Sequence, residues 1–75
     1  MKELALFFVK WLVDKPEAVT IDESRDGDVA VLNLNVDEAD KGKVIGKQGK
    51  VIKAIRAVVG AAAAKAGVQV AVEID

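Results

Sequence analysis

The hydrophobic positions of this 75-residue chain change their period several times along the sequence. Apolar side chains in residues 2–13 recur at about 100° per residue, which predicts an N-terminal helix with a broad apolar face. Residues 19–24 and 29–36 alternate apolar with polar side chains, which predicts two strands. Helical spacing returns in residues 50–65, with one face formed by Val51, Ile52, Ile55, Val58, Val59 and Ala62. Alternation returns in residues 68–74, with a predicted buried face formed by Val68, Val70, Val72 and Ile74. The pattern therefore predicts a helix, two strands, a long helix and a final strand.

Turn and capping residues separate these elements and indicate an additional short helix. Residues 25–28 contain Asp26-Gly27, which is a strong signal for a β-hairpin. Asp37 is placed to cap a short helix that ends near Ile45, with Asp40 three residues later in the manner of a capping box. The predicted order is α-β-β-α-α-β. We expect an α+β fold in which a three-stranded sheet packs against three helices, and a length of 75 residues predicts one domain, residues 1–75.

The aromatic side chains all lie in the first predicted helix. Phe8 and Trp11 share its apolar face, and we expect them to pack in the core. The same face also carries Leu4, Ala5, Val9 and Leu12. Phe7 and Leu6 fall outside that face. Because extra apolar surface is costly to leave in water, an alternative is that these two residues contact a partner.

Composition narrows the chemistry that the chain can perform. The chain contains neither cysteine nor histidine, which excludes disulfides, thiolate nucleophiles and the usual zinc ligands. Turn and capping roles account for the carboxylates of Asp26, Asp28, Asp37, Glu38 and Asp40. We therefore expect no enzymatic activity, no bound metal and no cofactor.

The N-terminal apolar run is too short for a membrane span and is interrupted by Glu3 and Lys10. No small-residue cleavage site follows it, so it does not resemble a signal peptide. We expect a cytoplasmic protein that makes no membrane contact.

Charge is distributed very unevenly along the chain. Residues 41–56 hold six basic and no acidic residues, whereas the remaining five basic and twelve acidic residues sum to −7. Such a segment focuses positive potential at one place although the net charge is −1. The alternative is an ordinary solvated helix face, but the absence of acidic residues favours a polyanionic ligand. The six residues are Lys41, Lys43, Lys47, Lys50, Lys53 and Arg56.

Two glycines interrupt the helical pattern inside this basic segment. Gly46 and Gly49 bracket Lys47-Gln48 immediately before the long helix. Glycine permits backbone angles and close approaches that other residues do not, and the first N–H groups of a helix favour a phosphate. A plain turn between helices is the alternative. The segment does not match the nucleotide P-loop motif, because no serine or threonine follows. It does not match the dinucleotide-binding motif either, because position 44 is valine.

The segment VIGKQGKVIKAI resembles the signature of KH domains, V-I-G-x-x-G-x-x-I-x-x-I. The matching residues are Val44, Ile45, Gly46, Gly49, Ile52 and Ile55. The predicted element order is that of type II KH folds. The resemblance covers essentially the whole chain and is closest to the small single-KH bacterial RNA-binding proteins of the KhpA type.

The resemblance implies an RNA chaperone or post-transcriptional regulator whose GxxG loop clamps about four nucleotides of single-stranded RNA, or of single-stranded DNA. It implies a homodimer or a heterodimer with another KH protein. An apolar groove floored by Val44, Ile45 and Ile52 would receive the bases, and residues 29–36 would form its opposite wall. The alternative is a protein–protein interaction module on the same scaffold. The implied RNA-binding residues are Lys43, Val44, Ile45, Gly46, Lys47, Gln48, Gly49, Lys50, Ile52, Lys53 and Arg56.

Overall fold

The computed structural model describes residues 1–74. The α+β architecture predicted from the sequence is confirmed, with the six elements in the order α-β-β-α-α-β. Short 3-10 turns at Pro16–Ala18, Glu38–Asp40 and Lys47–Gly49 lie between them. The elements are α1 (Lys2–Leu12), β1 (Thr20–Asp26), β2 (Val29–Asn35), α2 (Lys41–Ile45), α3 (Lys50–Lys65) and β3 (Gln69–Ile74).

The three strands form one mixed sheet in the order β1-β2-β3. β1 and β2 are antiparallel, and Ile21 lies opposite Leu34. β2 and β3 are parallel, and Leu32 lies opposite Val72. β2 is therefore the central strand, and its Leu32 and Leu34 are buried between the sheet and the helices. The turn of the hairpin is shorter than predicted, because β1 continues to Asp26.

The core lies between one face of this sheet and the helices. Its members are apolar side chains at the helical and alternating spacings described above, as expected when each element buries one face. None of the helices within residues 1–74 is long and apolar enough to span a bilayer. The buried apolar side chains are Ala5, Val9, Val13, Val19, Ile21, Leu32, Leu34, Val44, Ile52, Ile55, Val59, Ala63 and Val72.

Two predictions about burial were wrong. Trp11, which was expected in the core, is 82% exposed, while Phe8 is half-buried. Phe7, which was placed outside the buried face, is 66% exposed. The buried face of α1 is centred on Ala5 and Val9, and Trp11 lies about 160° around the helix from Val9. Val68 was expected on the buried face of the last strand, but it precedes β3 and is 47% exposed.

Candidate nucleic-acid interface

The backbone of the loop Gly46–Gly49 adopts angles that few residues other than glycine tolerate. Gly46 has φ 76° and ψ 173°, a combination that is essentially restricted to glycine. A Cβ atom on Gly46 would lie 2.3 Å from Val51 Cγ2 and 2.8 Å from the Val51 backbone nitrogen. Gly49 is left-handed at φ 74° and ψ 16°, and Gln48 is left-handed at φ 58°. The sequence motif therefore corresponds to a real backbone requirement.

This backbone leads directly into the N-terminus of α3. The Gly46 N–H donates to the Gly42 carbonyl at 2.8 Å and so closes α2, and the Gly49 N–H donates to the Gly46 carbonyl at 3.1 Å. Gly49 is the N-cap of α3 and provides no side-chain acceptor for the N–H groups of the first helical turn. Those donors, at the positive end of the helix dipole, are suited to an anion.

Three lysines surround this helix end, and we call Lys47, Lys50 and Lys53 the loop lysines. All three are exposed, and within residues 1–74 they form no ion pair. The Lys53 side chain runs past Gly49, with its Cε 3.9 Å from where a Cβ on Gly49 would lie. The first turn of α3 contains no acidic residue. Positive side chains at the positive end of a helix are unfavourable, and a polyanion would relieve that repulsion.

The other three basic residues of the segment already have partners, and we call Lys41, Lys43 and Arg56 the paired cations. Lys41 Nζ lies 3.1 Å from Glu38 Oε2, and Lys43 forms an ion pair with Asp14. The hydrogen bond to Asp14 raises the pKa of Lys43 above its ordinary value. Of the predicted site cations, Lys43 and Arg56 are therefore engaged within the fold.

Arg56 lies between α3 and the free edge of β3. Its Nε donates to the Val72 carbonyl at 2.9 Å, and one terminal nitrogen lies 3.8 Å from Glu73 Oε2. Its side chain is 46% exposed. The prediction that residues 29–36 form the wall opposite α3 was wrong. β2 is the central strand, and Arg56 of α3 contacts β3 instead. The wall opposite α3 is therefore β3.

The aliphatic residues of the motif are mostly part of the core. Val44 is fully buried and Ile52 is 6% exposed, so the prediction that they offer surface to bases was wrong. Both point from their helices into the space above the sheet, where Leu32 and Leu34 also pack. Ile45 is only partly buried, and it is the motif aliphatic whose surface remains available beside Gly46.

The sequence of this chain matches a known family of proteins. The sequence profile of a family described as KhpA/KhpB, KH domain, matches residues 2–74. The chain belongs to this KhpA/KhpB family.

Members of the KhpA/KhpB family resemble the chain over almost all of its length. "RNA-binding protein KhpA" of Clostridium perfringens is 53% identical over 74 residues, which cover 99% of both chains. The protein of the same name from Chlamydia trachomatis is 43% identical, over 99% of this chain and 95% of the relative. A crystal structure of Aquifex aeolicus Era bound to GDP.AlF4- matches 97% of this chain with a TM-score of 0.64. The identity is 18% and the match covers only 28% of that chain, so this likeness concerns the fold alone.

One important residue of this KhpA/KhpB chain was misassigned from sequence. Asp40 is 2% exposed and does not complete a capping box with Asp37. Its carboxylate accepts the backbone N–H groups of Asp14 at 3.3 Å and Lys15 at 3.1 Å, just after α1. Asp37 does act as a cap, because it accepts the Ala39 N–H at 3.0 Å. Asp40 therefore connects the end of α1 to the start of α2.

A second surface of the chain is entirely apolar. A cavity of about 200 Å³ lies between α1 and α3, where the exposed ring of Trp11 overhangs the apolar side of α3. Phe8 and Trp11, which were predicted to pack in the core, form part of this groove. Its lining residues are Phe8, Trp11, Leu12, Val51, Ala54, Ile55 and Val58.

Proposed function

We propose that this chain is a non-enzymatic RNA-binding protein, folded as one KH domain over residues 1–75, whose loop Gly46–Gly49 clamps single-stranded RNA. The loop and the first turn of α3 hold the sugar–phosphate backbone of about four nucleotides, as in KH domains generally. The relatives described as RNA-binding proteins support this assignment. Cytoplasmic RNA would be the natural ligand, and single-stranded DNA presents the same phosphates.

The observation that carries the proposal is the combination of a glycine-restricted loop with the loop lysines at the start of α3. Gly46 and Gly49 allow the backbone to approach a ligand closely, and Gly49, the N-cap of α3, has no side chain to accept a hydrogen bond. The loop lysines add three exposed charges at that same helix end. Each component alone is common, but together they form a site for consecutive phosphates.

The residues of the site have different roles in this proposal. Gly46, Lys47, Gln48 and Gly49 hold the phosphates, with Lys50 and Lys53 as neighbouring charges. Ile45 contacts the ligand beside the loop. Val44 and Ile52 support the loop from the core, and Lys43 fixes α2 through Asp14.

The proposed affinity of one domain is modest. Four phosphate contacts give a salt dependence with a log–log slope of about −3, at about −0.7 for each phosphate of a single strand. A second KH module would raise affinity through effective concentration, so we propose that the chain acts as a homodimer or with another KH protein. Weak, salt-sensitive binding of single strands suits an RNA chaperone or a post-transcriptional regulator.

The test is fluorescence anisotropy of a labelled, unstructured RNA across a salt series. The variant Lys47→Asp/Gln48→Asp lowers the net charge by three at the loop, two from Lys47 and one from Gln48. Both side chains are exposed, so the fold should survive, which circular dichroism checks. We expect binding to be lost.

A matched control is Lys65→Asp/Gln69→Asp, which makes the same two kinds of substitution at exposed positions, the last residue of α3 and the first residue of β3. Lys65 lies about 22 Å along the helix from Lys50. We expect this variant to retain most of the affinity. Equal loss in both variants would assign the binding to net charge, and retained binding in the loop variant would refute the clamp.

The apolar groove between α1 and α3 favours a second function, which is binding to another protein. Trp11 is the single tryptophan of the chain and is 82% exposed, an unusual position for a large apolar ring. Burial of this ring in a partner would shift its fluorescence emission to shorter wavelength. A concentration series of the chain alone, and the same series with Trp11→Ala in sedimentation, tests whether the partner is a second copy.

A further inference from the structure

Arg56 carries a planar guanidinium group between α3 and β3, and all three aromatic rings of the chain belong to α1. Phe8 and Trp11 line the opposite side of α3, in the cavity shared with α1, and Phe7 also belongs to α1. Bases of single-stranded nucleic acids commonly stack on aromatic rings or on the guanidinium planes of arginine. Arg56 carries the guanidinium group that lies between α3 and β3.

Two contacts fix the orientation of this guanidinium. Its Nε donates to the Val72 carbonyl at 2.9 Å, and a terminal nitrogen lies 3.8 Å from Glu73 Oε2. Both partners belong to β3, so these two contacts hold the guanidinium plane against the edge of that strand and restrict its rotation. The side chain is nevertheless 46% exposed. Both contacts use atoms at the edge of the guanidinium, so neither contact covers a face of the plane.

The same contacts make Arg56 a poor phosphate ligand. Glu73 already offsets much of its charge, whereas the loop lysines have no such neighbour within residues 1–74. Stacking uses the face of the guanidinium and tolerates a carboxylate at its edge, while phosphate binding requires the edge donors themselves. The paired state of Arg56 therefore favours a base over a phosphate.

The position of Arg56 also suits the path of a strand that starts at the loop. Arg56 is six residues beyond Lys50 along α3, a rise of about 9 Å. Four stacked nucleotides span about 10 Å. Lys53 lies between these residues and passes beside Gly49. A strand clamped at the loop can therefore bring a base to Arg56 within the length of the proposed site.

We propose that the guanidinium of Arg56 is the stacking platform for one base of the bound strand, in place of an aromatic ring. This inference rests on the proposed function. It assigns to β3 a role in recognition, because Val72 and Glu73 orient the platform. The selectivity that results is for flat, polarizable bases and not for a particular hydrogen-bonding edge.

The experiment uses short unstructured RNAs that carry 2-aminopurine at successive positions, because stacking quenches its fluorescence. With the wild-type chain, we expect strong quenching at one position. Arg56→Lys retains the charge but has no plane, so affinity should fall about tenfold, quenching at that position should disappear, and the salt slope should not change. Circular dichroism and thermal melting confirm that the variant is folded.

Lys53→Gln is the matched control on the preceding turn. It should flatten the salt slope by about 0.7 and retain full quenching at saturation. Glu73→Gln is a second variant that leaves Arg56 in place. A steeper salt slope in Glu73→Gln, with unchanged binding and quenching in Arg56→Lys, would make Arg56 a phosphate ligand and overturn the proposal.

The wild-type measurement can also overturn the proposal without any variant. Binding without quenching at any position would mean that no base stacks, although the clamp would stand. Failure of the wild-type chain to bind these RNAs at low salt would refute the clamp and the platform together. Binding that is lost in Lys47→Asp/Gln48→Asp but is unchanged in Arg56→Lys would refute the platform alone.

Discussion

The paired cations and the loop lysines come from one basic segment, yet the fold treats them in opposite ways. Lys41, Lys43 and Arg56 contact carboxylates within the fold. The loop lysines lie at the start of α3 without an ion pair in residues 1–74. The difference shows that the number of charges in a segment does not measure the charge available to a ligand. Three of the six cations of this segment are paired within the fold.

The two groups also differ in the backbone that carries them. Lys41 and Lys43 lie on α2, whose angles any residue can adopt, whereas Lys47 lies between two glycines with positive φ. The loop therefore combines backbone angles that most residues avoid with lysines at the positive end of a helix. Features that weaken the fold locally are expected where a ligand is bound.

The largest expected effect comes from Gly46→Ala. The new Cβ overlaps both the side chain and the backbone nitrogen of Val51, at backbone angles reserved for glycine. We expect a loss of about 3 kcal/mol in the free energy of unfolding, measured by urea denaturation. Gly49→Ala is the control, because its Cβ would have no neighbour closer than 3.9 Å, and it should cost about 1 kcal/mol. Equal losses would contradict the distinction between the two glycines.

Removal of the buried carboxylate should be the next largest effect. Asp40→Ala leaves the N–H groups of Asp14 and Lys15 without their acceptor and takes one carboxylate from the neighbourhood of Lys43, 3.9 Å away. We expect a loss of about 2 kcal/mol in unfolding free energy. Asp37→Ala, which removes an exposed cap, should cost about 1 kcal/mol or less. A smaller effect at Asp40 than at Asp37 would mean that the junction between α1 and α2 does not depend on Asp40.

Single charge removals compare the two groups of cations directly. Lys50→Gln should weaken RNA binding about fivefold at 0.1 M salt and flatten the log–log salt slope by about 0.7. Lys43→Gln removes the same charge from a residue that is paired with Asp14, so the slope should remain that of the wild type. Equal changes in the two variants would show that ion pairing inside the fold does not withdraw a cation from the ligand.

The smallest expected effects concern pH. The Ala39 N–H lowers the pKa of Asp37 below its ordinary value of 3.8, so its stabilisation is complete above that value and is lost as pH falls through the folded pKa. The pKa of Lys43 is raised above 10.5 by its hydrogen bond to Asp14, so its contribution is complete below 10.5 and is lost as pH rises through the folded pKa.

Because the chain has no histidine, we expect the midpoint of urea unfolding to be nearly constant from about pH 5 to pH 9. RNA affinity should be equally constant over this range. Lys43→Gln should reduce only the loss of stability at high pH, and Asp37→Asn only the loss at low pH. A transition near pH 7 in the wild-type chain would contradict this assignment.

The sequence predicted the elements of the fold well because each has a clear period or boundary signal. Ala5, Val9, Val59 and Val72 occupy the expected buried positions. Burial was mispredicted where periodicity gives only a broad face, as for Trp11, or where an element begins later, as for Val68. The glycine motif identified the loop because Gly46 needs its backbone angles regardless of tertiary packing.

The rest of the site depends on contacts between residues that are distant in sequence. Asp14 pairs with Lys43, and Val72 and Glu73 contact Arg56. No local pattern predicts these partners, so the predicted RNA-binding set included Lys43 and Arg56 together with the loop lysines. For the same reason, the wall opposite α3 was assigned to β2 instead of β3. Strand order in a sheet is set by pairing across the fold and not by the spacing within a strand.

The topology of the sheet has a consequence for the kinetics of folding. β1 and β2 are joined by a two-residue turn, whereas residues 36–68 separate β2 from its parallel neighbour β3. Closing the longer connection costs more chain entropy, so the hairpin should form early and β3 should pair late. β3 also carries the partners of Arg56. Substitutions at Arg56 should therefore accelerate unfolding and leave the refolding rate almost unchanged, which stopped-flow chevron measurements would detect.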